Sequence, residues 1–86
     1  MPFYFFDVQD QEEISEDDVG IECQSLEAVR RTAVNALPDI AKSAVLDGEH
    51  HLLAVTVRDE AGNRIFKATL TVDAGWLNGN QKMATE

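Results

Sequence analysis

The feature that most limits the fold of this chain is that only one segment has the periodicity of an amphipathic helix. Between residues 26 and 45, apolar side chains recur every three or four positions: Leu26, Val29, Ala33, Leu37, Ile40 and Ala44. This spacing places them on one stripe of a helix, which packs against a single surface. The rest of the chain is therefore expected to build the surface that this helix covers.

The limits of the helix follow from its flanking residues. Ser25 is the expected N-cap, because its hydroxyl can accept a hydrogen bond from a free amide of the first turn. Gly48 is the expected C-terminal stop. Pro38 lies inside the pattern, where it removes one donor and crowds the preceding turn. Since the periodicity continues on both sides of Pro38, we predict one kinked helix instead of two.

Two strands are predicted before the helix. Residues 3–8 are rich in aromatic side chains, which favour a strand. A weaker strand falls somewhere within residues 14–23, and Gly20 predicts a bulge or turn in it. The two strands are expected to form a hairpin.

Two more strands are predicted after the helix. Apolar and polar side chains alternate over residues 52–58 and 64–72, as in half-buried strands. Residues 59–63 form a tight loop in which Gly62 and Asn63 suit a positive φ.

The predicted fold class is α+β with the order ββαββ. It is a four-stranded antiparallel sheet with one long, Pro-kinked helix on one face. The strand order is left open, and the connection through the helix allows a 2-1-3-4 order with the aromatic first strand central. We expect residues 1–78 to form a single domain and residues 79–86 a polar tail.

One helix can cover only one side of such a sheet, so the other side is predicted to be open. Alternation places five apolar residues on it: Phe3, Phe5, Leu52, Ala54 and Ile65. Exposed apolar patches usually mark interfaces. We therefore expect a homodimer or a protein partner at this face, with a tail folded back through Trp76 and Leu77 as the alternative.

The charge of the chain is concentrated in its first third. The formal net charge is −9, and residues 1–29 hold nine acidic residues and no basic one. Five of these acids form a predicted partner loop: Glu12, Glu13, Glu16, Asp17 and Asp18. Such a field repels phosphates, so nucleic acid is not expected as a partner. An alternative function is an acidic decoy that binds a basic partner, as nucleic-acid mimics do.

The sequence predicts no catalytic, cofactor-binding or metal-binding residue, and we expect the protein not to be an enzyme. His50 and His51 are adjacent on a strand and so point to opposite faces, which prevents both from binding one ion. The acidic loop lacks the spacing of a calcium loop, and no glycine-rich phosphate loop or nucleophile motif is present. Cys23 follows an acidic residue and is expected to be a semi-buried, unreactive thiol.

A further alternative, a small ligand-binding protein or enzyme, would need a concave pocket with convergent polar groups. The apolar start of the chain has no basic segment before it and reaches Asp7 quickly, so it does not resemble a signal peptide. No apolar run approaches the ~20 residues of a membrane span. We expect a cytoplasmic protein with no membrane contact.

Four short motifs carry a family resemblance. They are the YFFDV strand at residues 4–8, the DVG turn at 18–20, the SLEA helix start at 25–28 and the VRDEAG hairpin at 57–62. Together they resemble a family of small, uncharacterised bacterial proteins of about this length, over residues 2–72. The resemblance implies a compact single domain and brings no established activity, cofactor or catalytic residue.

Overall fold

The computed structural model describes residues 2–46 and 48–77 and has an α+β fold. The elements, in chain order, are β1 Phe3–Asp10, β2 Glu13–Ser15, β3 Ile21–Glu22, α1 Leu26–Ser43, β4 His50–Arg58 and β5 Arg64–Asp73. All pairings in the five-stranded sheet are antiparallel, and its order is β2-β1-β4-β5, with β3 also paired to β1. The predicted domain limit at residue 78 and the tail at 79–86 lie outside the described residues.

The predicted second strand is divided into β2 and β3, and the interruption lies at Gly20, where the sequence predicts a bulge or turn. Both lie on the same edge of β1: β2 pairs with residues 8–10 and β3 with residues 3–4. Between them the chain leaves the edge and returns at Gly20, whose φ is +84°. The amide of Phe6, left without a strand partner, donates to Oδ2 of Asp17 at 3.1 Å. Counted as one divided strand, β2 and β3 complete the 2-1-3-4 order that the sequence allows.

Helix α1 begins as predicted and ends early. Oγ of Ser25 accepts from the amide of Ala28 at 3.1 Å, which confirms the N-cap. The helix continues through Pro38 but ends at Ser43, where Ala44 turns extended (φ −79°, ψ 151°). The predicted stop at Gly48 is therefore wrong.

The core lies between α1 and the centre of the sheet. Three helix residues of the predicted stripe are buried there: Val29, Ala33 and Leu37. They pack with Leu53, Val55 and Val57 of β4 and with Cys23. Cys23 is predicted to be semi-buried and is buried in the structure, with 4% of its surface exposed. Since β4 is the strand beneath the helix, β5 is covered less completely.

The β4–β5 loop is tied together by one side chain. Oδ1 of Asp59 accepts from the amides of Ala61 and Asn63 at 3.0 and 2.8 Å. Gly62 has the predicted positive φ of +90°, whereas Asn63 does not adopt one. Asn63 is instead held by Asp59, which also accepts from its side-chain amide at 3.2 Å. Within the described part of the chain, no helix is long and apolar enough to cross a membrane.

Candidate functional site: the open face of the sheet

The side of the sheet that faces away from α1, here called the open face, has polar rows across its middle. The strand register aligns Asp7, Thr56 and Lys67 in one row, and it aligns Gln9, Ala54 and Thr69 in the next. Alternation along each strand directs these side chains away from the helix. The open face is thus mixed in character, whereas the sequence predicted a mainly apolar patch.

The five predicted interface residues all belong to the open face but differ in what they can offer a partner. Phe3 and Ile65 are exposed, at 40% and 41%, and Leu52 is half-buried. Ala54 has no exposed surface, because its short side chain lies in a row between two longer ones. Phe5 is half-buried, and its ring lies against the backbone at Gly20. Ala54 therefore has no surface, and Phe5 only part of its ring, with which to contact a partner, and the contact role of the set stays a prediction.

The structure adds an apolar residue that the sequence did not single out. Ile14 of β2 lies opposite Gln9 of β1, which places it on the open face, and it is 62% exposed. The signal was present in the sequence, since Ile14 is the one large apolar side chain between Val8 and Val19. Its face could not be assigned because the limits of the second strand were uncertain.

An ionic cluster anchors residues 16–20, which we call the edge loop, against one end of the open face. Asp7 accepts from Nε and Nη2 of Arg58 at 2.7 and 3.0 Å and from the amide of Asp17 at 2.9 Å. Arg58 also donates to the carbonyl of Asp17 at 2.8 Å. Its guanidinium lies 5.1 Å from the centre of the Phe5 ring, a distance typical of a cation–π contact.

The carboxyl groups of this cluster are held in their charged form. The hydrogen bond from Arg58 lowers the pKa of Asp7 below its ordinary value, although burial opposes it. Burial alone would raise the pKa of Asp17, but hydrogen bonds from the amides of Val19, Phe6 and Gly20 lower it overall. Asp7, Asp17 and Arg58 thus hold the fold together at this end of the sheet.

This arrangement changes which acids of the predicted partner loop can meet a partner. Asp17 is turned inward and its carboxylate accepts three backbone hydrogen bonds. The other four are exposed along the β2 edge: Glu12, Glu13, Glu16 and Asp18.

An open groove of about 420 Å³ crosses the open face. It runs from Ile14 and Glu16 on the β2 side to Arg64 and Lys67 on the β5 side. One border is therefore acidic and the other basic, with the row of Asp7 between them.

Trp76 and Leu77 are both almost fully exposed, at 89% and 78%, so the predicted cover of the open face by these two residues is wrong.

The two histidines point to opposite faces, as predicted. Nε2 of the buried His51 lies 2.5 Å from Oδ1 of Asp10 on the helix side. Its Nδ1 is buried and has no hydrogen-bond partner among the described residues. Nδ1 of the exposed His50 lies 2.7 Å from Oδ1 of Asp73. The sequence did not indicate either carboxylate–histidine pair.

The surroundings of the two histidine pairs show which chemistry they could support. In the described ranges, no three His, Cys, Asp or Glu side chains are placed to hold one metal ion. A groove of about 600 Å³ beside His50 is lined by acids and amides of residues 9–13 and by Leu52, with no hydroxyl or thiol in that lining. Gln11, which lines this groove, has a positive φ of +58°. Its Oε1 accepts from the amide of Leu52 and its Nε2 donates to the carbonyl of His50, so it holds the β1–β2 turn against β4.

Comparison with protein families finds a match over most of the chain. Residues 3–71 match the family model described as a domain of unknown function, DUF6894. No curated protein and no solved structure matches the chain. The matched segment begins in β1 and ends in β5, so it includes every strand and the helix. The chain belongs to the DUF6894 family of domains of unknown function.

Proposed function

We propose that the protein is a non-enzymatic interaction module that binds a protein partner through the open face. The observation that carries the proposal is the groove across this face, which has no second layer over it among the described residues. Ile14 lines the groove and is exposed, and Ile65, next in sequence to the lining residue Arg64, is also exposed. Apolar contacts set among polar side chains are the usual composition of a protein interface.

The charge of the surroundings indicates what kind of partner fits. Glu12, Glu13, Glu16 and Asp18 border the open face on the β2 side and are exposed. Residues 1–29 contain no basic side chain that could neutralise them locally. A partner surface with an apolar centre and Lys or Arg side chains along one border would complement this face.

The histidine pairs support a non-enzymatic role. Nucleophilic catalysis by a carboxylate–histidine pair needs a hydroxyl or thiol within hydrogen-bond reach of the ring. Nδ1 of His51 faces the core, and the groove at His50 has no hydroxyl or thiol lining it. In the proposed role, the partner binds surfaces that the chain exposes, and the two histidines serve only as contacts between strands.

Capture of partner proteins from cells of the source organism tests the proposal. Ile14→Ser and Ile65→Ser together should remove a captured protein that wild type retains, because both expose apolar surface on the open face. Val34→Ser, at the exposed side of α1, is the matched control and should retain it. Equal loss with both variants, or no loss with either, would contradict binding through the open face.

The acidic decoy remains a second candidate, favoured by the four exposed acids on one edge. Reversal of Glu12, Glu13, Glu16 and Asp18 to Lys should abolish a decoy interaction, which should also weaken steeply with salt. Asp17 is left unchanged because the fold depends on it. Binding through the open face should instead depend on Ile14 and Ile65 and vary less with salt.

A further inference from the structure

The two edges of the sheet differ in how they are protected from pairing with another strand. On one edge, β2 and β3 have three and two residues and the edge loop separates them. On the other, β5 runs for ten residues, contains no proline, and pairs only with β4 in the described structure. Natural sheets usually protect such an edge with short strands, bulges, proline or charged side chains. Along residues 66–73 the β5 edge has only the last of these, Lys67 and Asp73.

The register shows which backbone groups this edge presents. Ala74 donates to the carbonyl of Glu49 at 2.9 Å, and antiparallel hydrogen-bonded pairs recur every second residue. The amides and carbonyls of Phe66, Ala68, Leu70 and Val72 therefore face β4. Those of the alternate residues point outward from the sheet: Lys67, Thr69, Thr71 and Asp73.

The side chains along β5 also leave apolar surface uncovered. Phe66, Ala68, Leu70 and Val72 lie on the helix side of the sheet but are only half-buried. Their β4 neighbours in the same rows, His51, Leu53, Val55 and Val57, are all buried. Helix α1 thus covers β4 and leaves the outer part of the β5 strip available to a neighbouring element.

We propose that this edge pairs with β5 of a second copy of the chain, antiparallel and centred on Leu70. This register places Lys67 of each copy opposite Asp73 of the other, and Thr69 opposite Thr71. All four outward amides and all four outward carbonyls of each copy then have partners. Opposite charges and threonine pairs in facing positions stabilise antiparallel strands.

The same register is favourable on the helix side. It sets Leu70 opposite Leu70 of the second copy and Ala68 opposite Val72, which buries the half-exposed strip. His50 contacts Oδ1 of Asp73, so Oδ2 remains for Lys67 of the second copy. The two antiparallel β5 strands are related by a two-fold axis that is perpendicular to the sheet. Both open faces therefore lie on the same side of one ten-stranded sheet. The dimer would therefore present two copies of the proposed binding surface side by side.

Light scattering and sedimentation of the full chain test this assembly. Wild type should have twice the 9.5 kDa chain mass. Thr71→Pro should give a folded monomer with a dimer dissociation constant at least about tenfold higher, because the lost amide serves only the outer edge. Thr71→Val keeps that amide and should remain dimeric. A wild-type monomer at millimolar concentration would overturn the proposal.

A charge exchange tests the register and does not depend on how Thr71→Pro folds. Lys67→Asp should raise the dissociation constant by roughly tenfold, because it creates two like-charge pairs. Adding Asp73→Lys should restore most of the affinity. An unchanged dissociation constant for Lys67→Asp, or a higher one for the double variant than for the single one, would contradict the proposed pairing.

Amide hydrogen exchange provides a check without substitutions. The amides of Thr69 and Thr71 should exchange slowly at high protein concentration and faster on dilution, since their acceptors come from the second copy. Fast exchange at every concentration would show that the edge is unpaired. Protection in a monomer would show that another part of the same chain covers it. Either result overturns the dimer.

Discussion

Asp17 demonstrates how an acid in a charged run can become part of the fold. Its carboxylate accepts from the amides of Phe6, Val19 and Gly20, and its own amide donates to Asp7. The sequence showed five acids close together but not which one would turn inward. That choice depends on Arg58, 41 residues away, whose guanidinium meets the Asp17 carbonyl. Long-range contacts of this kind have no local pattern from which to predict them.

The depressed pKa values of Asp7 and Asp17 predict a dependence of stability on pH. A carboxyl whose pKa is lower in the folded than in the unfolded chain stabilises the fold above the unfolded pKa of about 3.9. That contribution is lost as pH falls through the lower, folded pKa. We expect the free energy of unfolding in urea to decrease as pH is lowered from about 5, because protons bind the unfolded chain more readily.

With Asp7→Asn, the free energy of unfolding should fall less steeply as the pH is lowered from about 5. The substitution should also lower the free energy of unfolding at neutral pH by about 1–3 kcal/mol, because the Arg58 guanidinium loses its charged acceptor. Urea unfolding at a series of pH values measures both effects. An unchanged slope in the Asp7→Asn variant would mean that Asp7 is not held by Arg58 as described.

Alanine substitutions at Gly20 and Gly62 can be compared directly to test the packing of the edge loop. Both glycines have a positive φ, so alanine at either site introduces backbone strain of about 1 kcal/mol. A Cβ at Gly20 would also lie 3.0 Å from the Phe5 ring and 3.2 Å from the Phe3 ring, whereas one at Gly62 would meet no atom within 4 Å. Gly20→Ala should therefore reduce the melting temperature more than Gly62→Ala. Equal reductions would show that the edge loop does not pack on the two rings.

The helix and strands after Ser25 were largely predictable. For the second strand, the interruption at Gly20 was predictable but the limits of its two parts were not. Apolar periodicity identified the α1 stripe, and alternation identified β4 and β5, because each pattern is local and repeats several times. Residues 14–23 contain too few apolar side chains to define a face. Their division arises from Asp17 and from Gln11, which bonds to β4 through its side chain. Neither residue has a sequence signature for that role.

Pro38 should reduce the stability of α1 even though the helix continues through it. A proline inside a helix lacks one amide donor and costs up to about 3 kcal/mol relative to alanine. We expect Pro38→Ala to raise the free energy of unfolding by about 1–3 kcal/mol. Asn35→Ala, also exposed on α1, is the control and should add only a few tenths of a kcal/mol, about the propensity difference. A lower melting temperature for Pro38→Ala would show that Pro38 makes a favourable contact elsewhere.

The uneven distribution of charge has a structural counterpart in the molecule. The acids of residues 1–29 lie mainly along the β1–β2–β3 side of the sheet, whereas Lys67 and Arg64 lie along β5. The sequence predicted the open face and its aromatic end, because one helix cannot cover both sides. Alternation placed Thr56 and Thr69 on that face, but the sequence could not predict their alignment with Asp7 and Lys67 or the exposed β5 edge. Those features depend on which residues align across strands, and register follows from the turns and the bulge opposite Arg58.

Site-specific photo-crosslinking in cells of the source organism tests the central claim most directly. A photoreactive side chain at Thr69 reports on the open face, and one at Asn35 reports on the exposed side of α1. If the open face is the binding surface, Thr69 should give a discrete adduct with a protein other than a second copy of the chain, and Asn35 should not. Adducts from Asn35 alone, or the same adducts from both positions, would contradict the claim.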